Sequence, residues 1–228
     1  MTAFCIAILG AESSGKTALA QALASALALE TGLRCTWVPE HLRHWCERAG
    51  RTPRSGEQAG IAQAQHEHIA QAAASFDIVV SDTTALQTAV YSRIVFGDRL
   101  LDASAIALHS GMHLTLLTAL DLPWVADGLQ RSGEHVRAPV DAALRDLLHA
   151  GGLPWALVAG SGAARLQAAL DAVAPPLRLH ATPRAGLFTR LAQRNAQPQA
   201  RAWQCERCDD PACEHLSLGS PPGQSSTK

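Results

Sequence analysis

The chain has 228 residues, of which 47% are hydrophobic and 17% charged, and its formal net charge is -1. That length suits one globular domain with a real core plus an appendage. The near-neutral balance argues against a chain drawn globally to nucleic acid or an anionic membrane, and no apolar run reaches the roughly 20 residues that span a bilayer.

Strand-like apolar runs alternate with helix-like stretches, the pattern of a parallel sheet wrapped by helices. The first strand is predicted over 4–9. It lacks a basic leader and runs straight into a glycine-bearing loop, so it reads as a strand and not a signal peptide; the expected compartment is the cytoplasm. An Ala/Leu-rich helix follows over 15–31 and stops at Gly32. A strand over 35–38 ends at Pro39-Glu40, a helix covers 40–49, 50–56 is a loop, and a helix covers 57–74. The third strand, 76–80, closes on Ser81-Asp82-Thr83-Thr84, with Asp82 or Thr83 capping a helix that continues to 96. A fourth strand over 112–117 delivers Thr118 and Asp121. The polar stretch 123–137 reads as a loop or lid, 139–150 as a helix, and 155–158 as the fifth strand, followed by Gly160-Ser161-Gly162 and a helix to about 173. Regular alternation stops at Pro175.

Gly10-Ala11-Glu12-Ser13-Ser14-Gly15-Lys16-Thr17 fits GxxxxGK[ST] and lies between an apolar strand and a long helix, the context the motif requires. Its glycines let the backbone wrap a phosphate, and the helix dipole points at the same anion. Lys16 is placed to reach the β- and γ-phosphates, and Thr17 to give its hydroxyl to Mg²⁺. The expected fold is therefore an α/β P-loop NTPase, with a parallel five-stranded sheet and helices on both faces.

The class of P-loop protein turns on two absences. No Glu follows Asp82, as it would in a motor-type or AAA-type ATPase that activates water, and Thr118-Ala119-Leu120-Asp121 lacks the lysine of a guanine-reading motif. Both point to a small-molecule kinase. Ligands of such sheets sit at the carboxyl ends of strands, where Glu40, Asp82 and Asp121 fall. A kinase needs one carboxylate near the acceptor hydroxyl and another to hold Mg²⁺ through water; Glu40 and Asp82 are the candidates, in either assignment, although each also suits a plain helix start. Arg131, Arg137 and Arg93 are candidates for charge stabilisation from a lid, or are solvated surface charges. Gly160 lets the backbone approach a nucleotide base, or is a plain turn residue.

These motifs resemble those of NadR-like P-loop proteins, known for a ribosylnicotinamide kinase domain. The resemblance rests on the Glu-Ser-Ser phosphate loop, Val38-Pro39-Glu40 with Arg43, Ser81-Asp82-Thr83, the run Asp121-Leu122-Pro123-Trp124-Val125-Ala126-Asp127-Gly128-Leu129, and Gly160 with Arg165. It implies transfer of the γ-phosphate of ATP to the 5′-hydroxyl of nicotinamide riboside. It also implies that Lys16 and Thr17 handle phosphate and Mg²⁺, that Glu40 and Asp82 sit at the riboside, and that Asp127 and Arg131 belong to the lid. Gln130 stands before Arg131 where the family tends to read Asp-Gly-Leu-Arg, and no adenylyltransferase motif is present, so the resemblance covers the kinase part alone.

Cys205, Cys208, Cys213 and His215 have the spacing C-x₂-C-x₄-C-x-H, a tetrahedral Zn²⁺ set that would fold a segment too short for its own core. A redox pair or unliganded thiols are the alternatives. The expected organisation is a P-loop kinase domain over 1–174, a linker or docking segment over 175–202, the zinc-like motif over 203–216 and a disordered end over 217–228. Two functions stay open: a kinase of a nucleoside-like small molecule, using ATP and Mg²⁺, or a regulatory ATPase acting on a protein partner through the cysteine-rich tail.

Overall fold

The computed structural model describes residues 2–125 and 133–180. Five parallel strands, β1 (Phe4–Leu9), β2 (Cys35–Val38), β3 (Ile78–Asp82), β4 (Leu114–Thr118) and β5 (Trp155–Val158), form one sheet in the order β2-β3-β1-β4-β5. Among the described residues seven α-helices connect and cover them: α1 (Lys16–Thr31), α2 (His41–Ala49), α3 (Gln58–Ser75), α4 (Ala85–Phe96), α5 (Asp102–His109), α6 (Arg137–Ala150) and α7 (Gly162–His180).

Strand alternation sorts the core into two layers. Phe4, Ile6 and Ile8 of the central strand pack with α1 and α7. Leu9 packs with α4 and α6, and Cys5 and Ala7 face α3. Large side chains on one face and small ones on the other set how closely each helical layer approaches. The chain crosses over β1 between β3 and β4, so the strand order reverses beside β1, where ligands of open α/β sheets bind. The register brings Ile8 level with Asp82 and Leu9 level with Leu117, so three strand ends meet at one edge of the sheet.

Several expectations need correction. β3 runs to Asp82, so this carboxylate is in the sheet and does not cap the next helix. The cap of α4 is Thr84, whose hydroxyl accepts from the Leu86 N–H at 3.3 Å. The helix α5 lies where no element was expected; eight residues with Ala105 and His109 buried are too short to show a periodicity. Arg137 is the first residue of α6 and not part of a loop. The helix α7 continues through Pro175 and Pro176 to His180, so residue 174 lies inside a helix. Each proline there removes an N–H and costs about 3 kcal/mol; the burial of Val173, Ala174 and Leu177 against the α1 layer keeps the helix going. Asp127, Arg131 and the candidate zinc ligands Cys205, Cys208, Cys213 and His215 lie outside the described residues. Among the described residues no helix is long and apolar enough to cross a membrane.

One buried polar link ties α4, α5 and β4 together. The His109 ring lies 2.8 Å from the Thr84 hydroxyl and 2.7 Å from that of Thr115. Burial lowers its pKa from 6.5 to about 4. The folded state therefore refuses a proton that the unfolded chain takes up between those values. The stability this represents, about 3 kcal/mol, is present above pH 6.5 and lost as the pH falls towards 4. Thermal melts between pH 7 and 4.5 are expected to show a shallower acid loss for His109→Gln than for the parent; superposable pH slopes would exclude His109 as the group responsible.

Candidate functional site

The phosphate loop keeps its shape through three residues of positive φ and five side chains. Gly10, Ser13 and Gly15 have φ of 155°, 55° and 77°. A Cβ on Gly10 would sit 1.9 Å from Thr118 Oγ1, so no side chain fits there without displacing the end of β4. The Ser14 hydroxyl donates to the Ala11 carbonyl at 2.7 Å and accepts from the Thr118 hydroxyl at 2.7 Å. The Gly10 N–H donates to Gln87 Oε1 at 3.3 Å. Ser13 Oγ donates to the Val125 carbonyl at 2.6 Å, fastening the segment after β4 to the loop. The Lys16 ammonium donates to the carbonyls of Gly10 and Ala11 at 3.0 and 2.9 Å.

Thr17, in the first turn of α1, donates its hydroxyl to Asp82 Oδ2 at 2.5 Å. Asp82 is 1% exposed, and its Oδ1 is buried without a partner. Burial raises its pKa, opposed by the Thr17 hydrogen bond and by the charges of Lys16 and Arg43. A hydroxyl beside a carboxylate oxygen that lacks a donor is a hard-oxygen set at a phosphate loop. It fits Mg²⁺ held partly through water.

Glu40 occupies the N-cap position of α2 in extended conformation, without making a capping bond itself. Its carboxylate is buried, with Arg43 Nε 3.9 Å away. Gln65 fixes its position. That side chain accepts from the His41 N–H at 2.6 Å and donates to the Pro39 carbonyl at 3.3 Å and Ser81 Oγ at 3.2 Å. Ser81 in turn donates to the Thr83 carbonyl at 2.6 Å, holding Thr83 at φ 71°. The exits of β2 and β3 are thus locked to each other. Glu12, Glu40, Arg43, Gln58, Tyr91 and Phe96 all line one cavity of about 270 Å³.

On the other side of the loop, Arg165 of α7 is 3% exposed. It donates to the Ser14 carbonyl, to Asp121 Oδ1, and at 2.7 Å to the Gly160 carbonyl. The Gly160 N–H, which the sequence offered to a nucleotide base, donates to Asp121 Oδ2 at 2.5 Å. Arg137 donates to the Leu122 carbonyl at 2.9 Å, and its Nε is buried without a partner. Gly15, Ala18, Ala22, Leu122, Gly162 and Leu166 line a second, apolar cavity of about 280 Å³ between α1 and α7. Arg93, grouped with the lid arginines from sequence, forms an ion pair with Asp102 of α5 at 2.6 Å and braces two helices.

The fold thus brings residues 10–17, Glu40, Asp82, Arg137 and Gly160 to one edge of the sheet. Sequence reasoning missed Gln65, Gln87 and the anchoring role of Arg165. Gln65 left a signal, a polar residue at helical spacing from Ile61 and Ile69, both buried on α3. Gln87, fully within the buried face of α4, left none beyond its type.

No curated protein matches this chain. Its fold is similar to a solved NadR protein in complex with NR, with a TM-score of 0.61 and 22% identity over 75% of this chain. A NadR protein in complex with NAD and AMP-PNP gives a TM-score of 0.57 and 22% identity over 75% of this chain. The chain spans about half the length of these structures, 50% and 48%. The family model described as an AAA domain matches residues 5–165. This match and the likeness in fold fit the resemblance to NadR-like P-loop proteins carried by residues 10–17, Val38-Pro39-Glu40 and Ser81-Asp82-Thr83. By this match over most of its length, the chain belongs to the AAA domain family of P-loop proteins.

Proposed function

We propose that the protein is a kinase that transfers the γ-phosphate of ATP to the 5′-hydroxyl of a nucleoside-like acceptor, with nicotinamide riboside the preferred one. The observation that carries this reading is the cavity holding Glu40 beside the phosphate loop. An ATPase that activates only water has no need of a second, ring-sized cavity with a carboxylate in its wall. The charged residues lining it are Glu12, Glu40 and Arg43, a formal balance of one negative charge, and Tyr91 and Phe96 add aromatic faces. That chemistry favours a cationic ring such as a pyridinium. The likeness in fold to a NadR protein in complex with NR supports the same acceptor.

The division of labour follows from the contacts. Asp82, bound to Thr17, belongs to the phosphate side, and together they would hold Mg²⁺, which neutralises charge on the β- and γ-phosphates. Lys16 neutralises the γ-phosphoryl group as it transfers. Glu40 orients the acceptor hydroxyl and takes its proton as the oxygen bonds to the γ-phosphorus and the bond to the β–γ bridging oxygen breaks, releasing ADP.

ADP release by the purified full-length chain with ATP and Mg²⁺, with and without nicotinamide riboside and a nucleoside panel, tests this. Riboside-dependent turnover that disappears in Lys16→Ala is the expected result. ATP binding with slow ADP release that no acceptor stimulates would overturn the kinase reading in favour of an ATPase.

A further inference from the structure

We infer that Glu12, on the phosphate loop, and Gln58, at the start of α3, recognise the vicinal hydroxyl pair of the acceptor's sugar. The inference deepens the kinase reading and rests on it.

Both residues line the acceptor cavity. Glu12 is 6% and Gln58 3% exposed, and each carries a buried oxygen without a partner, Oε2 and Oε1 respectively. A buried acceptor without a donor costs about 1–3 kcal/mol, and more when it is charged. Two residues of one cavity wall that each carry such an oxygen are explained if a ligand supplies the donors. The guanidinium in the same wall, Arg43, already lies 3.9 Å from Glu40. The wall is thus rich in acceptors, with two carboxylates and an amide oxygen. The matching ligand presents two neutral O–H donors side by side beneath a flat ring, as a ribofuranoside does. A phosphorylated acceptor would set its own negative charge against Glu12 and Glu40 and is disfavoured, which suits an enzyme that adds the phosphate and then releases the product.

Glu12 lies between Ala11 and the left-handed Ser13, inside the turn that wraps the phosphates. A sugar held by Glu12 is therefore held by the same rigid segment that holds the triphosphate. The reacting oxygen and phosphorus are positioned by one loop, and not by two elements that must find each other.

The test compares kcat/KM for nicotinamide riboside with its 2′-deoxy and 3′-deoxy analogues, in the parent, Glu12→Gln and Gln58→Leu. A site built to bond a hydroxyl rejects the analogue without it, so the parent is expected to disfavour the deoxy analogues by about 10- to 100-fold. In each variant riboside kcat/KM falls, mainly through KM. The analogue lacking the matching hydroxyl changes little, so the discrimination ratio collapses towards one. Equal use of riboside and deoxyribosides by the parent, or unchanged ratios in both variants, would overturn the inference while leaving the kinase standing. Turnover with no nucleoside at all would overturn the kinase reading, and this one with it. The analogue comparison in the parent needs no variant to fold.

Discussion

Replacing Asp82 with asparagine is expected to reduce acceptor-dependent turnover by on the order of 10³-fold and to leave the nucleotide-free protein at least as stable as the parent. The two halves have one cause. Asp82 is buried, its Oδ1 has no partner, and burial raises its pKa despite the Thr17 hydrogen bond and the charges of Lys16 and Arg43. An ionised carboxylate in that position is held at a cost, and the cost is useful only when a cation arrives. The sign follows from linkage. Between the unfolded pKa and the higher folded one, the folded state binds more protons, so stability falls as the pH rises through that window. Asparagine abolishes that slope. It still accepts from the Thr17 hydroxyl but brings no charge to the metal. Thermal melts of both proteins across pH 4 to 7, with and without Mg²⁺ and ATP, separate the effects. The variant should equal or exceed the parent without ligand and gain less from Mg²⁺ with ATP. A variant that melts well below the parent without ligand, or that keeps more than a tenth of its turnover, would show that Asp82 serves the fold and not the metal.

What could be read from sequence was what is local in the chain. The strand Phe4–Leu9, the loop from Gly10 to Thr17 and the helix to Thr31 are contiguous, and each part constrains the next. Glu40 and Asp82 were visible because an apolar strand leads into each. The strand expected over 76–80 lies two residues later at both ends: Phe76 ends α3, and Ser81 and Asp82, though polar, are paired opposite Ala7 and Ile8, which only the sheet reveals. Long-range bonds left no trace. Thr118 reaches Ser14 across 104 positions, and Gln87 reaches Gly10 across 77. The helix α7 runs on through a proline pair that usually ends one, because Val173, Ala174 and Leu177 on either side of Pro175 and Pro176 are buried against the α1 layer.

Arg165 is the longest of these links, and its removal should have the largest effect on stability. Its guanidinium braces three segments at once: the phosphate loop at the Ser14 carbonyl, the segment after β4 through Asp121, and the turn after β5 at the Gly160 carbonyl. Asp121 is tied back to that turn by the Gly160 N–H, so the group is closed on itself. Arg165 is buried but Asp121 is 36% exposed, so water softens the loss at that carboxylate; three hydrogen bonds at roughly 1 kcal/mol each put the cost at about 3 kcal/mol. For a domain of this size, Arg165→Ala should lower the melting temperature by roughly 10 °C. Loss of the Ser14 anchor should also raise the KM for ATP. Arg165→Lys distinguishes charge from geometry. A lysine brings the charge but cannot spread planar donors over three carbonyl and carboxylate groups, so it should recover less than half of the loss. Full recovery by lysine would mean that a positive charge near Asp121 is all the site requires. An alanine variant that melts within 2 or 3 °C of the parent, the shift expected from only about 1 kcal/mol, would mean that the phosphate loop holds its shape without α7.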